Sequence, residues 1–247
     1  MSHQVDGVAA LLLVVGVIGV AAAVQLVTGF GFALVCVPLL TLVVDPHTAV
    51  VLALLLGLLV VVHQAVAGRA QLDRGVATRL LSGSVVGLPL GLYAFAHTSA
   101  EALTAAIGAM ILVATVLLTR GITLRRRSVP LDLGLGVLTG FLTTSTGTPA
   151  PPLVAVLTAR GLPPAVFRAT TSLVFMVMDL LAVPGFWLAG DLDGPLLLVA
   201  LASLPGMVVG AVLGVRLRPL LSAGTFRVLV LVLLAVSGVS AILTAVL

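Results

Sequence analysis

The sequence predicts an all-α polytopic integral membrane protein made of two inverted-topology repeats, with broken or half helices and about 8–10 membrane segments. Three observations predict it. Of the 247 residues, 61% are hydrophobic and only 8% charged, and mean hydropathy is +1.34. A soluble domain carries about 25% charged residues, so this chain cannot cover a water-facing surface. The apolar stretches are continuous rather than alternating, which excludes a transmembrane barrel. The second half also repeats the first. Adding 123 to Gly83, Gly87, Gly91, Ser99 and Ala100 gives Gly206, Gly210, Gly214, Ser222 and Ala223, and Val85-Val86 falls on Val208-Val209. Gly-xxx-Gly-xxx-Gly forms a smooth ridge on which another helix packs closely, and its recurrence in register marks a duplication.

The elements follow in order. Hydrophobic segments fall at 7–28, 31–44, 46–67, 74–96 and 100–119, then at 131–145, 149–159, 162–189, 194–217 and 223–247. A span needs ~20 apolar residues, so the pieces 31–44, 131–145 and 149–159 read as half-helices that meet their neighbours inside the membrane. Residues 1–120 form the first repeat, 121–130 a basic linker and 131–247 the second repeat. The N-terminus lacks the positive region of a signal peptide, so the first segment is expected to be retained.

The basic residues are all arginine, and they lie between hydrophobic segments. That placement sets orientation and meets anionic lipid; it does not build a nucleic-acid face. Arg120, Arg125, Arg126 and Arg127 place the linker in the cytoplasm. Counting outward, Arg69, Arg74, Arg79, Arg160, Arg168, Arg216 and Arg218 fall inside, and Asp45, Glu101, Asp191 and Asp193 outside. Equivalent loops of the two halves thereby swap sides, which predicts inverted repeats with both termini outside. Tyr93 and Trp187 fall at outer helix ends, where interfacial anchors sit.

Two interruptions occupy corresponding places in the halves: Thr28-Gly29-Phe30-Gly31 and Thr143-Thr144-Ser145-Thr146-Gly147-Thr148-Pro149. A broken helix in a bilayer persists only where protein or a cavity satisfies its freed backbone groups. Paired breaks point to a transport site. A helix that restarts there aims free N–H groups and a positive dipole end at its N-terminus, which suits an anion. Pro149, Pro151 and Pro152 suit such a start. Thr28, Thr143, Thr144, Ser145, Thr146 and Thr148 add hydroxyl donors, unless those hydroxyls bond back to their own helix. Gln25 faces the first break as an anion donor or as a cap for freed carbonyls of the unwound turn.

Intramembrane ionisable groups are candidates by default. Asp179 lies within an apolar stretch and is a candidate for carrying a proton; the alternative is a structural hydrogen bond. Arg168 can meet an oxyanion bidentately or extend to the interface. His63 can titrate near neutrality or sit satisfied at the interface. Cys36 is a small packing residue. No Walker A sequence, metal-ligand set or nucleophile motif is present, so no cofactor or metal is expected and an enzyme is disfavoured.

Gly29-x-Gly31 with Pro38-Leu39-Leu40, then Gly147 with Pro152-Leu153-Val154, resembles the duplicated signature of the TauE/SafE sulfite-exporter family. Gly161-Leu162-Pro163 and Ala169-Thr170-Thr171-Ser172 resemble that family as well, which brings Thr171 and Ser172 into the candidate site. Prolines stand where the family's second cluster has small residues. The resemblance implies a secondary transporter of sulfite or an organosulfonate in a bacterial inner membrane, driven by protons or potential. An anion channel, an importer of another anion, or a non-transporting scaffold remains open, as does oligomerisation.

Overall fold

The computed structural model describes residues 7–120 and 128–217. Residues 121–127 of the basic linker and the segment at 223–247 lie outside the described residues. Within them the chain is helical: α1 (Val8–Thr28), α2 (Phe32–Leu40), α3 (Pro46–Gly68), α4 (Arg74–His97), α5 (Ala100–Arg120), α6 (Val129–Ser145), α7 (Ala150–Ala159), α8 (Pro164–Ala189) and α9 (Gly194–Leu217). Five of these are long and apolar enough to cross a membrane: α1, α3 (extended to Gln71), α4, α8 and α9. α2 stops at Leu40, short of the predicted 44, and turns residues follow it.

Aspartates begin several helices. The Asp45 carboxylate accepts the His47 and Thr48 N–H groups at 2.9 and 3.3 Å, and Pro46 opens α3. Asp73 accepts the Val76 N–H at 3.1 Å, and Asp193 the Leu196 N–H at 2.8 Å. Each side chain satisfies an amide that a helix start leaves unpartnered. The run from Ala49 to Val61 is apolar on every side, as a helix enclosed by protein requires, and α3 is the most buried of the five spans. α9 exposes Leu197, Leu198, Leu201, Val208 and Val209, a face suited to lipid.

The glycine ridges do what small residues do between membrane helices. Gly83, Gly87 and Gly91 of α4 lie against the backbone of Leu133, Val137 and Phe141 in α6. Gly206, Gly210 and Gly214 of α9 lie in the same way against Val15, Gly19 and Ala23 of α1. Both pairs are parallel, because the contacts advance together along the two helices. Elsewhere direction reverses. The end of α3 meets the start of α8, with Gly68 on Ala169 and Gln64 bonded to Ser172. α4 runs alongside α8 from Asp73–Thr170 to the Phe95–Phe186 edge contact. α1, α3 and α9 therefore run one way, and α4, α6 and α8 the other.

A Cβ on Gly87 would overlap the Val137 carbonyl, and one on Gly210 the Gly19 carbonyl, both backbone atoms that cannot swing aside. Gly87→Ala and Gly210→Ala should each prevent a monodisperse, cooperatively melting protein. Gly16 and Gly134 are also helical but have nothing within 4 Å of an added Cβ. Alanine there should be neutral or stabilise by up to about 1 kcal/mol. Thermal melts of purified protein compare the two classes.

Candidate functional site

Each break makes a hairpin. α1 ends at Gly29, whose left-handed backbone (φ 86°) lets its N–H close on the Gln25 carbonyl at 2.7 Å. Gly31 (φ 111°) completes the reversal, and α2 returns toward the start of α3. Two left-handed residues so close together favour glycine, because a Cβ there crowds the following carbonyl. In the second hairpin Gly147 (φ 67°) reverses the chain between α6 and α7. α7 comes back to where α6 began. There Arg160, 4% exposed in its side chain, pairs with the fully buried Asp132 at 2.5 Å. Asp132 also holds Arg79 of α4 at 3.2 Å.

Removing one partner of a buried pair leaves the other charge uncompensated, at a cost of about 3–5 kcal/mol. Asp132→Ala should show a loss of that order in denaturant titrations of the detergent-solubilised protein. Arg79 is about one-third exposed, and Arg79→Ala should cost about 1 kcal/mol or less.

The two hairpin tips line one buried cavity of about 40 Å³. Gln25, Gly31, Phe32, Ala33 and Leu34 come from the first hairpin, and Thr143, Gly147, Pro149 and Ala150 from the second. α3 contributes Ala53, Leu54, Gly57 and Val61, and α8 contributes Phe175 and Asp179. Much of this lining pairs under one shift. Adding 118 to Gln25, Gly31, Phe32, Gly57 and Val61 gives Thr143, Pro149, Ala150, Phe175 and Asp179, all of which also line the cavity. Gly29 and Gly147 are related by the same shift.

Asp179 is 8% exposed and makes no hydrogen bond or ion pair among the described residues. The Gln25 side-chain oxygen accepts the Phe32 N–H at 3.0 Å, so it caps the restarted helix and no freed carbonyl. The next two α2 amides, on Ala33 and Leu34, belong to the first turn, where N–H groups lack intrahelical acceptors. α7 differs, because Pro151 and Pro152 have no N–H to offer. Its start supplies a dipole end with fewer donors.

Most of the predicted hydroxyls lie elsewhere. Thr28 Oγ1 donates to the Val24 carbonyl at 3.0 Å and accepts the Phe30 N–H at 2.9 Å. Thr144 donates across to the Leu88 carbonyl at 2.7 Å and Thr171 back to the Phe167 carbonyl at 2.9 Å. Thr146 and Thr148 bond each other at 2.8 Å. Ser145 Oγ is buried without a partner but lies outside the cavity lining, as does Pro152 in the first turn of α7.

Arg168, Ser172 and His63 line a second cavity of about 180 Å³ with Gln64, Gly68 and Gln71, toward the arginine-bearing ends of α3 and α4. The stem of Arg168 packs on Gly29 so closely that a Cβ there would overlap it. Of the predicted hydroxyls Thr143 alone lines the central cavity; Gln64, Asp132 and Phe175 were not singled out by the sequence reading as site or anchoring residues. Gln64 and Asp132 carried a usable signal, a polar side chain inside an apolar segment, the same signal that marks Gln25 and Asp179.

The fold and site define a polytopic membrane protein of transporter type, with a mainly apolar cavity that holds Gln25, Thr143 and Asp179 where two broken-helix hairpins meet. The chain belongs to the sulfite exporter TauE/SafE family, whose model matches residues 12–241. Neither a curated protein nor a solved structure matches it. Membership implies an exporter-type transporter of sulfite or another anion, a family of transporters and not of enzymes.

Proposed function

We propose that the protein is a secondary transporter of a compact oxyanion of the sulfite type, bound in the cavity between the hairpin tips and exposed alternately to the two faces of the membrane. The observation that carries this is the convergence of both breaks on one cavity that also holds an unpartnered carboxylate. The opposed directions of α3 and α8, and the exchanged pairings α1–α9 and α4–α6, support two inverted repeats. A site on the axis between such repeats can open to either face by rocking one repeat against the other.

The N–H groups of Ala33 and Leu34 and the dipole of α2 stabilise the negative charge, and the Gln25 amide adds a polar contact in place of water; the Thr143 hydroxyl, which donates to the Thr139 carbonyl at 2.8 Å, joins them only by turning from its own helix. A cavity of about 40 Å³ favours a compact ion of a few atoms over a sulfonate with a carbon tail. Asp179 in the same cavity couples a proton to the anion, since two negative charges oppose each other there. On this reading the protein sits in a bacterial inner membrane with its arginine-rich loops in the cytoplasm.

A thermal-shift screen tests the substrate class. Sulfite should raise the melting temperature at lower concentration than taurine or sulfoacetate, with sulfate and thiosulfate as size comparisons. A flat response to every one of these anions contradicts the proposed site.

A further inference from the structure

Gln25 and Gln64 stand between the two cavities: Gln25 lines the central one and Gln64 the inner one. They are joined twice. Gln25 Nε2 donates to Gln64 Oε1 at 2.9 Å, and Gln64 Nε2 donates to the Gln25 backbone carbonyl at 2.9 Å. Ser172 of α8 donates to the same Gln64 oxygen at 3.3 Å. The link therefore ties α1, α3 and α8 together across the passage. It also reaches the anion end, because Gln25 Oε1 holds the first amide of α2.

We propose that Gln64 is the inner gate of the pathway, a positioning residue that seals the central cavity from the arginine-lined one through its amide bonds to Gln25. The inference rests on the transporter reading. An anion arriving at the α2 N-terminus competes with Gln25 Oε1 for the Phe32 N–H. Gln25 then turns, its Nε2 leaves Gln64, and the passage opens on the side of Arg168 and His63. A carboxamide suits this position because it donates and accepts at once without charge, so the open gate does not repel the anion.

The test reads accessibility and needs no substrate, so it stays separate from any failure of transport. Cys36 is fully buried; in a Cys36→Ala background, Val61→Cys places one thiol on the central cavity. A membrane-impermeant maleimide is applied from the face carrying Arg69, Arg74 and Arg79. Losing two hydrogen bonds of ordinary strength shifts a closed–open balance about tenfold or more, so Gln64→Ala should speed labelling by that factor. Gln64→Glu is the isosteric second variant. Its protonated form can both donate and accept, so labelling, taken as the ratio to Ala165→Cys at each pH to remove the thiol's own ionisation, should be slow at low pH and fast at high pH, a dependence absent with glutamine. Ala165→Cys, lining the inner cavity, should label equally in all three backgrounds. Equal labelling of Val61→Cys in all three overturns the proposal, and so does a rise at Ala165→Cys matching that at Val61→Cys.

Discussion

Asp179→Asn should sever the response of transport to a pH gradient while leaving anion binding intact. On the proposed site an anion and an ionised Asp179 would share a cavity of about 40 Å³. Two like charges ~4 Å apart oppose each other by about 4 kcal/mol at an effective dielectric of 20, about a thousandfold in affinity. The anion is then held only while the carboxyl carries its proton, and the two move together. In the wild-type protein, apparent affinity should fall toward tenfold per pH unit once Asp179 ionises. Asparagine keeps the shape and removes the charge, so only the pH dependence of the anion's own protonation should remain. Vesicles with a proton gradient should accumulate anion through the wild-type protein, whereas Asp179→Asn should give exchange only. Binding titrations across pH, paired with uptake, check both halves. A variant that still accumulates anion against its gradient would rule out Asp179 as the proton carrier.

Filling either hairpin tip should abolish flux. A Cβ on Gly147 would stand 3.3 Å from Val37 Cγ2 and from Val50 Cγ1, and one on Gly31 3.4 Å from Val24 Cγ1. Both glycines line the cavity, so the rest of a leucine side chain competes for that space. Gly31→Leu and Gly147→Leu should therefore each lower flux by about a hundredfold or more, in line with other misplacements at a functional centre. Both positions also have left-handed backbone, where any side chain costs about 1–2 kcal/mol. Gly161 separates the two effects, because its φ is +64° with nothing within 4 Å of an added Cβ. Gly161→Leu imposes similar strain in open space and should keep most of the flux. Equal loss in all three would mean that backbone strain, not occupation of the cavity, governs transport.

The helices themselves were legible because membrane helices are written in long apolar runs, and the bounds of α3, α4, α8 and α9 fall within about two residues of the segments read from hydropathy. The breaks were legible because glycine and proline interrupt such runs for steric reasons that need no tertiary context. The register relating the halves was only partly legible. The glycine ridges repeat at 123, but Gln25–Thr143 and Val61–Asp179 repeat at 118, so the spacing changes between the α3 and α4 regions. A single ungapped shift therefore could not show that Asp179 and Val61 are equivalent positions lining one cavity.

Which hydroxyls face the cavity was not legible at all. Thr143 and Thr144 are neighbours, yet Thr143 bonds back within α6 and lines the site while Thr144 bonds across to a carbonyl on α4. Helical phase relative to a distant partner decides that. Gln64 and Asp132 are a different case: each was visible as a polar residue in an apolar segment, but its role exists only through Gln25 or Arg160.

The most direct measurement is anion flux into liposomes holding the purified protein, with a pH gradient or a voltage imposed across the membrane. Sulfite should move through the wild-type protein, faster than sulfoacetate or taurine, and should stop with Gly147→Leu. No flux of any of these anions from protein whose melting shows an intact fold would contradict the account.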